Sequence, residues 1–311
     1  MPLRDQVGRG ERRRLRVSFA RRPDGSEAWF PLEVLRGRED GPTVALTAGI
    51  HGDEYEGPKA LHDLARALDP ARLTGTVLIV PIAHLAAFEA GTRTSPVDGV
   101  NLARIFPGDP EGTITHRLAA ALFREVVEGS DALVDLHSGG VRLAFAAVAG
   151  FYDDAAATAR ALALPSLWRL PERAGVLSYE AHRRGIAVAG CEAGGRGGRL
   201  DADSDTYRDG LLRLLRLRGM IEGEAGPEPD WTHVLDGDWQ LAPVGGLIEN
   251  HVALGERVHA GAPLATIRDP FGEVLAVMDA PHDGFVMGVR HLCTVQPGEW
   301  ATCVVREVPL R

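Results

Sequence analysis

Lysine is almost missing from this chain: of 34 basic residues Lys59 is the only one, and the rest are arginine. Chemistry that needs a lysine amine as an attachment point is therefore excluded from everything beyond residue 59. Cysteine is scarce too. Cys191, Cys293 and Cys303 are too few and too irregularly spaced for a disulfide framework, which favours a reducing compartment and a cytoplasmic location. No stretch approaches the roughly 18 apolar residues that span a bilayer. Arg12-Arg13-Arg14 leads into alternating polar and apolar residues instead of the apolar run of a signal peptide. Positive charge is not in excess either, and the net charge of −9 argues against nucleic acid or an anionic membrane as partner. What is present, 311 residues of which 45% are hydrophobic and 25% charged, suffices for one large domain and a smaller one.

The most informative motif is His51-Gly52-Asp53-Glu54, which follows the apolar run 43–50 and precedes a helix expected over 58–68. It sits on a loop at the carboxyl end of a strand, where open α/β sheets bind ligands. Far along the chain, the apolar run 132–136 ends in His137 before Gly139-Gly140. Two imidazoles and one carboxylate, with a fourth position left for water, are the ligand set of a catalytic zinc. By spacing alone His-x-x-Glu is a weak signal, and a helix-capping loop with solvated side chains reads equally well. The bracketing Gly49 and Gly52, the apolar strand before them and the second strand-end His tilt the balance towards metal. Asp53 and Asp135 are then candidates to fix the ligand imidazoles from behind, or ordinary loop caps.

Residues 91–108 are rich in turn formers and poor in periodic apolar positions, so they read as a long functional loop. Arg93 and Arg104 punctuate it. A guanidinium fork suits a carboxylate or an oxyanion, whereas a surface ion pair is the ordinary fate of an arbitrary arginine. A further apolar run, 186–189, leads into Gly190-Cys191-Glu192-Ala193-Gly194-Gly195. Glu192, at another strand end and outside the ligand set, fits the base that takes a proton from water and returns it to a leaving amine; a turn or cap residue is the bland alternative. Cys191 reads as a small buried side chain.

These segments together resemble the succinylglutamate desuccinylase/aspartoacylase family of zinc amidohydrolases, related to the zinc carboxypeptidases. The resemblance covers most of the chain: an entry hairpin, the His-Gly-Asp-Glu loop, an Asn-Leu-x-Arg-x-Phe-Pro-Gly loop at 101–108, Asp-Leu-His, Glu-x-Gly-Gly and a carboxy-terminal β-region. It implies one Zn²⁺ per chain held by His51, Glu54 and His137. It also implies that Arg93 polarises the scissile carbonyl and that Arg104, with Asn101, binds the substrate, Arg104 through its carboxylate. Where the family commonly has Asn-Arg, this chain has Ala103-Arg104, so one amide contact is missing. The loop Arg93-Thr94-Ser95-Pro96-x-Asp98-Gly99 looks most like members resembling N-acetyl-diaminobutyrate deacetylases. The expected activity is removal of an acyl group from a small N-acyl amino acid. The alternatives are carboxypeptidase-like cleavage of a peptide and a non-catalytic zinc- or ligand-binding protein on the same scaffold.

Alternation of strands and helices predicts an α/β protein, a zinc carboxypeptidase-like mixed sheet covered by helices on both faces, with a smaller carboxy-terminal all-β domain. Strands are expected at 15–19, 29–35, 43–48, 76–80, 132–136, 145–148 and 186–189, and helices at 58–68, 113–127, 155–162 and 205–220. The Gly- and Pro-rich segment 223–229 separates a catalytic domain at 1–222 from a β-rich one at 230–311. The short strands and glycine turns of that tail are similar to the barrel-sandwich of lipoyl and biotinyl domains. It contains no lysine, so the carrier role is excluded and a structural or gating role remains. Its His251, His259, His282 and His291 offer no close ligand pair for a second metal. Self-association is left open by the sequence.

Overall fold

The computed structural model describes residues 3–152, 156–198, 201–229, 233–237 and 239–309. The chain enters through a hairpin of β1 (Glu11–Arg21) and β2 (Glu27–Arg36), closed where Asp24 Oδ1 accepts the Ser26 amide. Six further strands follow: β3 (Glu39–Ala48), β4 (Thr74–Val80), β5 (Ala132–His137), β6 (Leu143–Phe151), β7 (Ser166–Arg169) and β8 (Ala187–Gly195). They lie in the order β1-β2-β4-β3-β5-β8-β6-β7, with β3, β4, β5 and β8 parallel and the flanking pairs β2–β4 and β8–β6 antiparallel. The sheet is therefore mixed, with a parallel centre whose strands are apolar on both faces.

Helices cover both faces. Leu61 and Leu64 of α1 (Glu56–Ala67) and Leu211 and Leu214 of α6 (Asp201–Leu217) pack on one side, against Ala132, Val134 and Leu136 of β5. Between them in the chain come α2 (Leu85–Ala90), α3 (Ile114–Leu122), α4 (Ala157–Leu162) and α5 (Leu177–His182). Leu118 and Leu122 of α3 and Leu177 of α5 pack on the opposite side, against Leu133 of β5 and Val188 of β8. The period of two then fixes which side chains reach the site: Asp135 and His137 share the face of Leu133, and Glu192 shares that of Val188. Cys191 points the other way, into the α1/α6 core, and burial pushes its thiol pKa up. Cys191→Ser should therefore cost about 1–3 kcal/mol, the usual penalty for moving a hydroxyl into apolar surroundings. Urea unfolding measures it.

Three short elements were not expected from the pattern: β7, α2 and α5. The helix expected at 113–127 is α3 followed by a π-turn, Phe123–Val127, and the one expected from 155 has its first residue outside the described residues. Beyond α6, residues 223–229 form no regular structure and run along the body, where Arg160 Nε donates to Glu228 Oε1 at 2.8 Å. The rest is β-rich, with β9 (His233–Asp236), β10 (Trp239–Leu241), β11 (Gly246–Asn250), β12 (Arg257–Val258), β13 (Pro263–Arg268), β14 (Val274–Asp279), β15 (Gly284–Arg290), β16 (Thr294–Val295) and β17 (Trp300–Pro309). Strands β14-β13-β11-β16 make a small sheet, whereas β15 pairs with β6 and β9 with β7, so the other strands prolong the main sheet. Phe145, Val148 and Trp168 of the main sheet share a core with Trp239, Met287 and Val305. Among the described residues no helix is long and apolar enough to cross a membrane.

Candidate active site

The carboxyl ends of β3, β5 and β8 bring three separate segments together. After β3 the chain turns sharply through residues 49–55. Gly52 is required there: a Cβ would lie 2.0 Å from the Ala87 carbonyl carbon, and its amide donates to Thr92 O at 2.9 Å. That contact ties the His51 loop to the Arg93 loop. Residues 93–99 are in turn fastened to the start of α3, where Asp98 accepts from Thr113 Oγ1 at 2.6 Å and Thr115 Oγ1 at 2.7 Å. Asn101 Oδ1 caps the next turn by accepting Ala103 N at 3.0 Å.

His51, Glu54 and His137 converge, with one ligand atom from each lying within 4.8 Å of the others. His51 Nδ1 faces Glu54 Oε1 at 2.7 Å and His137 Nδ1 faces Glu54 Oε2 at 3.0 Å. Each ring's other nitrogen is already engaged. His51 Nε2 lies 3.2 Å from Asn101 Oδ1, and His137 Nε2 lies 2.9 Å from Asp135 Oδ2, whose partner oxygen accepts Thr47 Oγ1 at 2.6 Å. Since Asn101 Oδ1 and Asp135 Oδ2 can only accept, the network assigns a proton to each Nε2. Burial and the nearby Arg93 bring the His51 pKa down to about 4, so this ring is neutral and its Nδ1 lone pair points at a carboxylate. His51, Glu54 and His137 could hold a cation, which would relieve that repulsion. Burial opposes ionisation of Glu54, but the two imidazoles outweigh it and hold its pKa well below the carboxylate range. At His137, Asp135 and Glu54 likewise overcome burial and raise the ring's pKa.

Glu192 is the register partner of His137 across β5 and β8. The strand runs on to Gly195 instead of stopping at 189, so Glu192 lies inside a strand and is held by β5 on one side and by Val148 of β6 on the other. Its Oε2 is closed off from solvent without a hydrogen-bond partner among the described residues, and burial raises its pKa to about 8. Arg93 Nη1 donates to Glu54 Oε1 at 3.2 Å, and its guanidinium lies 5.8 Å from the Trp300 ring, itself stacked on Trp239. Arg93, Arg104, His51, His137 and Glu192 line one cavity, walled by Tyr152, Trp168 and Trp300. Partial burial and the neighbouring Arg93 and Arg173 lower the Arg104 pKa, so the cavity favours an anionic partner.

Asn101, expected to touch substrate, stands behind His51 and is not on this cavity wall. Asp53 hydrogen-bonds no imidazole among the described residues; its Oδ2 accepts Val141 N at 3.1 Å. Sequence reasoning did not single out Trp300, Trp168, Tyr152, Glu56 or Tyr207, whose hydroxyl donates to His137 O at 2.6 Å. No spacing marks the aromatics, and Glu56 reads as an ordinary first-turn helix acid.

Residues 40–218 match the profile of the succinylglutamate desuccinylase/aspartoacylase catalytic domain. The chain belongs to the succinylglutamate desuccinylase/aspartoacylase family. It is 34% identical over 295 residues, 90% of this chain and 86% of the relative, to the N-alpha-acetyl-L-2,4-diaminobutyric acid deacetylase of Halomonas elongata. Among solved structures, it superposes with TM-score 0.88 on a product-bound ectoine utilization protein of Ruegeria pomeroyi, at 31% identity over 96% of this chain and 97% of that one. A succinylglutamate desuccinylase/aspartoacylase of Rhodobacter sphaeroides gives 0.86 at 29% identity, with 96% of each chain covered.

Proposed function

We propose that this protein is a zinc-dependent deacylase that hydrolyses the acyl amide of a small N-acyl amino acid, with Nα-acetyl-diaminobutyrate the first substrate to try. The observation that carries the reading is Glu192, in register with His137 beside three converging donors and with its Oε2 unpartnered among the described residues. The likeness to the Halomonas elongata deacetylase supports the substrate class. We read residues 1–222 as a catalytic unit of zinc carboxypeptidase-like design and 230–311 as its β-rich companion. Trp300 of that companion walls the cavity, which disfavours long peptides.

His51, Glu54 and His137 would hold zinc, which supplies Lewis acidity to the acyl carbonyl and to water. Glu192 takes the proton from water and delivers it to the departing amine nitrogen. Arg93 faces the oxygen that becomes negative in the tetrahedral intermediate, and Arg104 pairs with the substrate carboxylate. Asn101 and Asp135 fix the two ligand rings through their Nε2 atoms.

A panel of N-acetyl amino acids, assayed before and after chelation and again with Zn²⁺ added back, tests the reading; bound zinc without turnover on any amide would overturn it. The role of Arg104 has its own test. Arg104→Ala should lose about 2–5 kcal/mol in kcat/KM on a free N-acyl amino acid, as truncating one partner of a desolvated charge pair does. On the matching carboxamide the loss should be small. Equal losses would give Arg104 to the loop or the oxyanion.

A further inference from the structure

We propose that Glu56 is a positioning residue that locks the three site-bearing segments into one alignment and thereby sets where Glu192 stands relative to the triad. The proposal rests on the reading of Glu192 and the triad given above. Glu56 is the first residue of α1, two positions beyond Glu54, and it is fully buried. Its Oε1 accepts the Gly195 amide at 2.8 Å and its Oε2 accepts the Tyr55 amide at 3.2 Å, with the Ser138 side chain beside the carboxylate. Each partner adjoins a site residue: Tyr55 follows Glu54, Ser138 follows His137, and Gly195 lies three residues past Glu192 on the same strand. One carboxylate thus ties the end of β8 to the start of the helix that follows the His51 loop, beside the residue that leaves β5.

Two further observations bear on the choice of this residue. Burying a carboxylate costs several kcal/mol unless hydrogen bonds repay it, so an apolar side chain would be the better filler if packing were the only need. The backbone has also been shaped to admit it. A Cβ on Gly194 would lie 2.7 Å from both Glu56 Oε1 and Asp203 Oδ2, and Gly195 has φ +110°, a conformation that favours glycine and aims its amide at the Glu56 carboxylate. β8 is held by β5 and β6 regardless of Glu56. Loss of the clamp should therefore shift alignment within a folded protein, and a shift below an ångström at the reacting groups is expensive in rate.

The test uses the zinc-loaded full chain with Glu56→Ala, Glu56→Asp and Glu56→Gln, reading kcat and KM on an N-acetyl amino acid and the rate of zinc release to a chelator. Glu56→Ala and Glu56→Asp, which cannot reach Gly195 N, should lower kcat by roughly 10–100-fold, the range for lost outer partners of a metal site. KM should change little and zinc should be released faster. Glu56→Gln keeps an acceptor for that amide and should recover most of both properties. Parent-like kcat and zinc release in a folded Glu56→Ala would overturn the proposal. So would equal impairment of Asp and Gln, which would make the residue a folding element only; this pair also decides the matter if the Ala variant does not fold. If the parent itself hydrolyses nothing on the panel, the functional reading fails, while zinc release in the same variants still decides the role of Glu56.

Discussion

Alanine at His51, Glu54 or His137 is expected to remove zinc and hydrolysis together. Three ligands are the fewest that hold a catalytic zinc with a position open to water, and two leave it exchangeable. Glu54 should be the most damaging of the three. It faces both Nδ1 atoms at once, so its removal deletes a ligand and leaves the two rings, 5.1 Å apart between centroids, without the group that stands between them. Activity should fall well beyond the roughly 10–100-fold that follows loss of an outer partner. Asp135→Ala supplies that comparison, because it frees His137 Nε2 and leaves all three ligands in place. Metal content after dialysis, measured alongside turnover in excess Zn²⁺, checks the prediction. Full occupancy in two of the three alanine variants would sink the ligand assignment.

The sheet and the convergence of the site were legible in the sequence because both depend on strand ends. Apolar runs followed by His51, His137 and Glu192 say that three parallel strands deliver those residues to one edge, and the register confirms the arithmetic for β5 and β8. The end of β8 was misjudged because residues 190–195 contain three glycines, which in isolation signal a turn. Here β6 pairs with Gly190, Gly194 and Gly195 and carries the strand through the positive φ of the last two, so tertiary pairing overrides propensity. Short elements such as α2 and β7 carry too few residues for a period to register. The cavity walls were illegible for a different reason. Trp300 reaches the site only because β15 and β9 join the main sheet, and such long-range pairing leaves no local pattern. Asn101 was read for its place in a functional loop, and its contact with His51 Nε2 was illegible because the two residues are far apart in the chain.

Glu192→Gln should lower kcat by roughly 10²-fold or more while fold and zinc content stay those of the parent, the usual cost of a lost acid/base group. Glutamine matches glutamate in shape but cannot take a proton from water. The pH behaviour makes the assignment specific. Burial raises the carboxyl from 4.5 to about 8 in the protein without metal, and a divalent cation at the triad pulls it back down by attraction. The acid limb of kcat/KM, where activity rises as Glu192 ionises, is therefore expected between those two values and should disappear in the variant. Stability shows the opposite sign. A carboxyl whose folded pKa is raised stabilises the fold while protonated, fully so below 4.5, and this contribution is lost as pH rises through about 8. Metal-stripped parent protein should accordingly melt at progressively lower temperature across that window, and metal-stripped Glu192→Gln should show a flatter profile. An unchanged acid limb in the variant would assign the base to another carboxylate, and an unchanged melting profile would mean that Glu192 is hydrated and ionises as an ordinary surface acid.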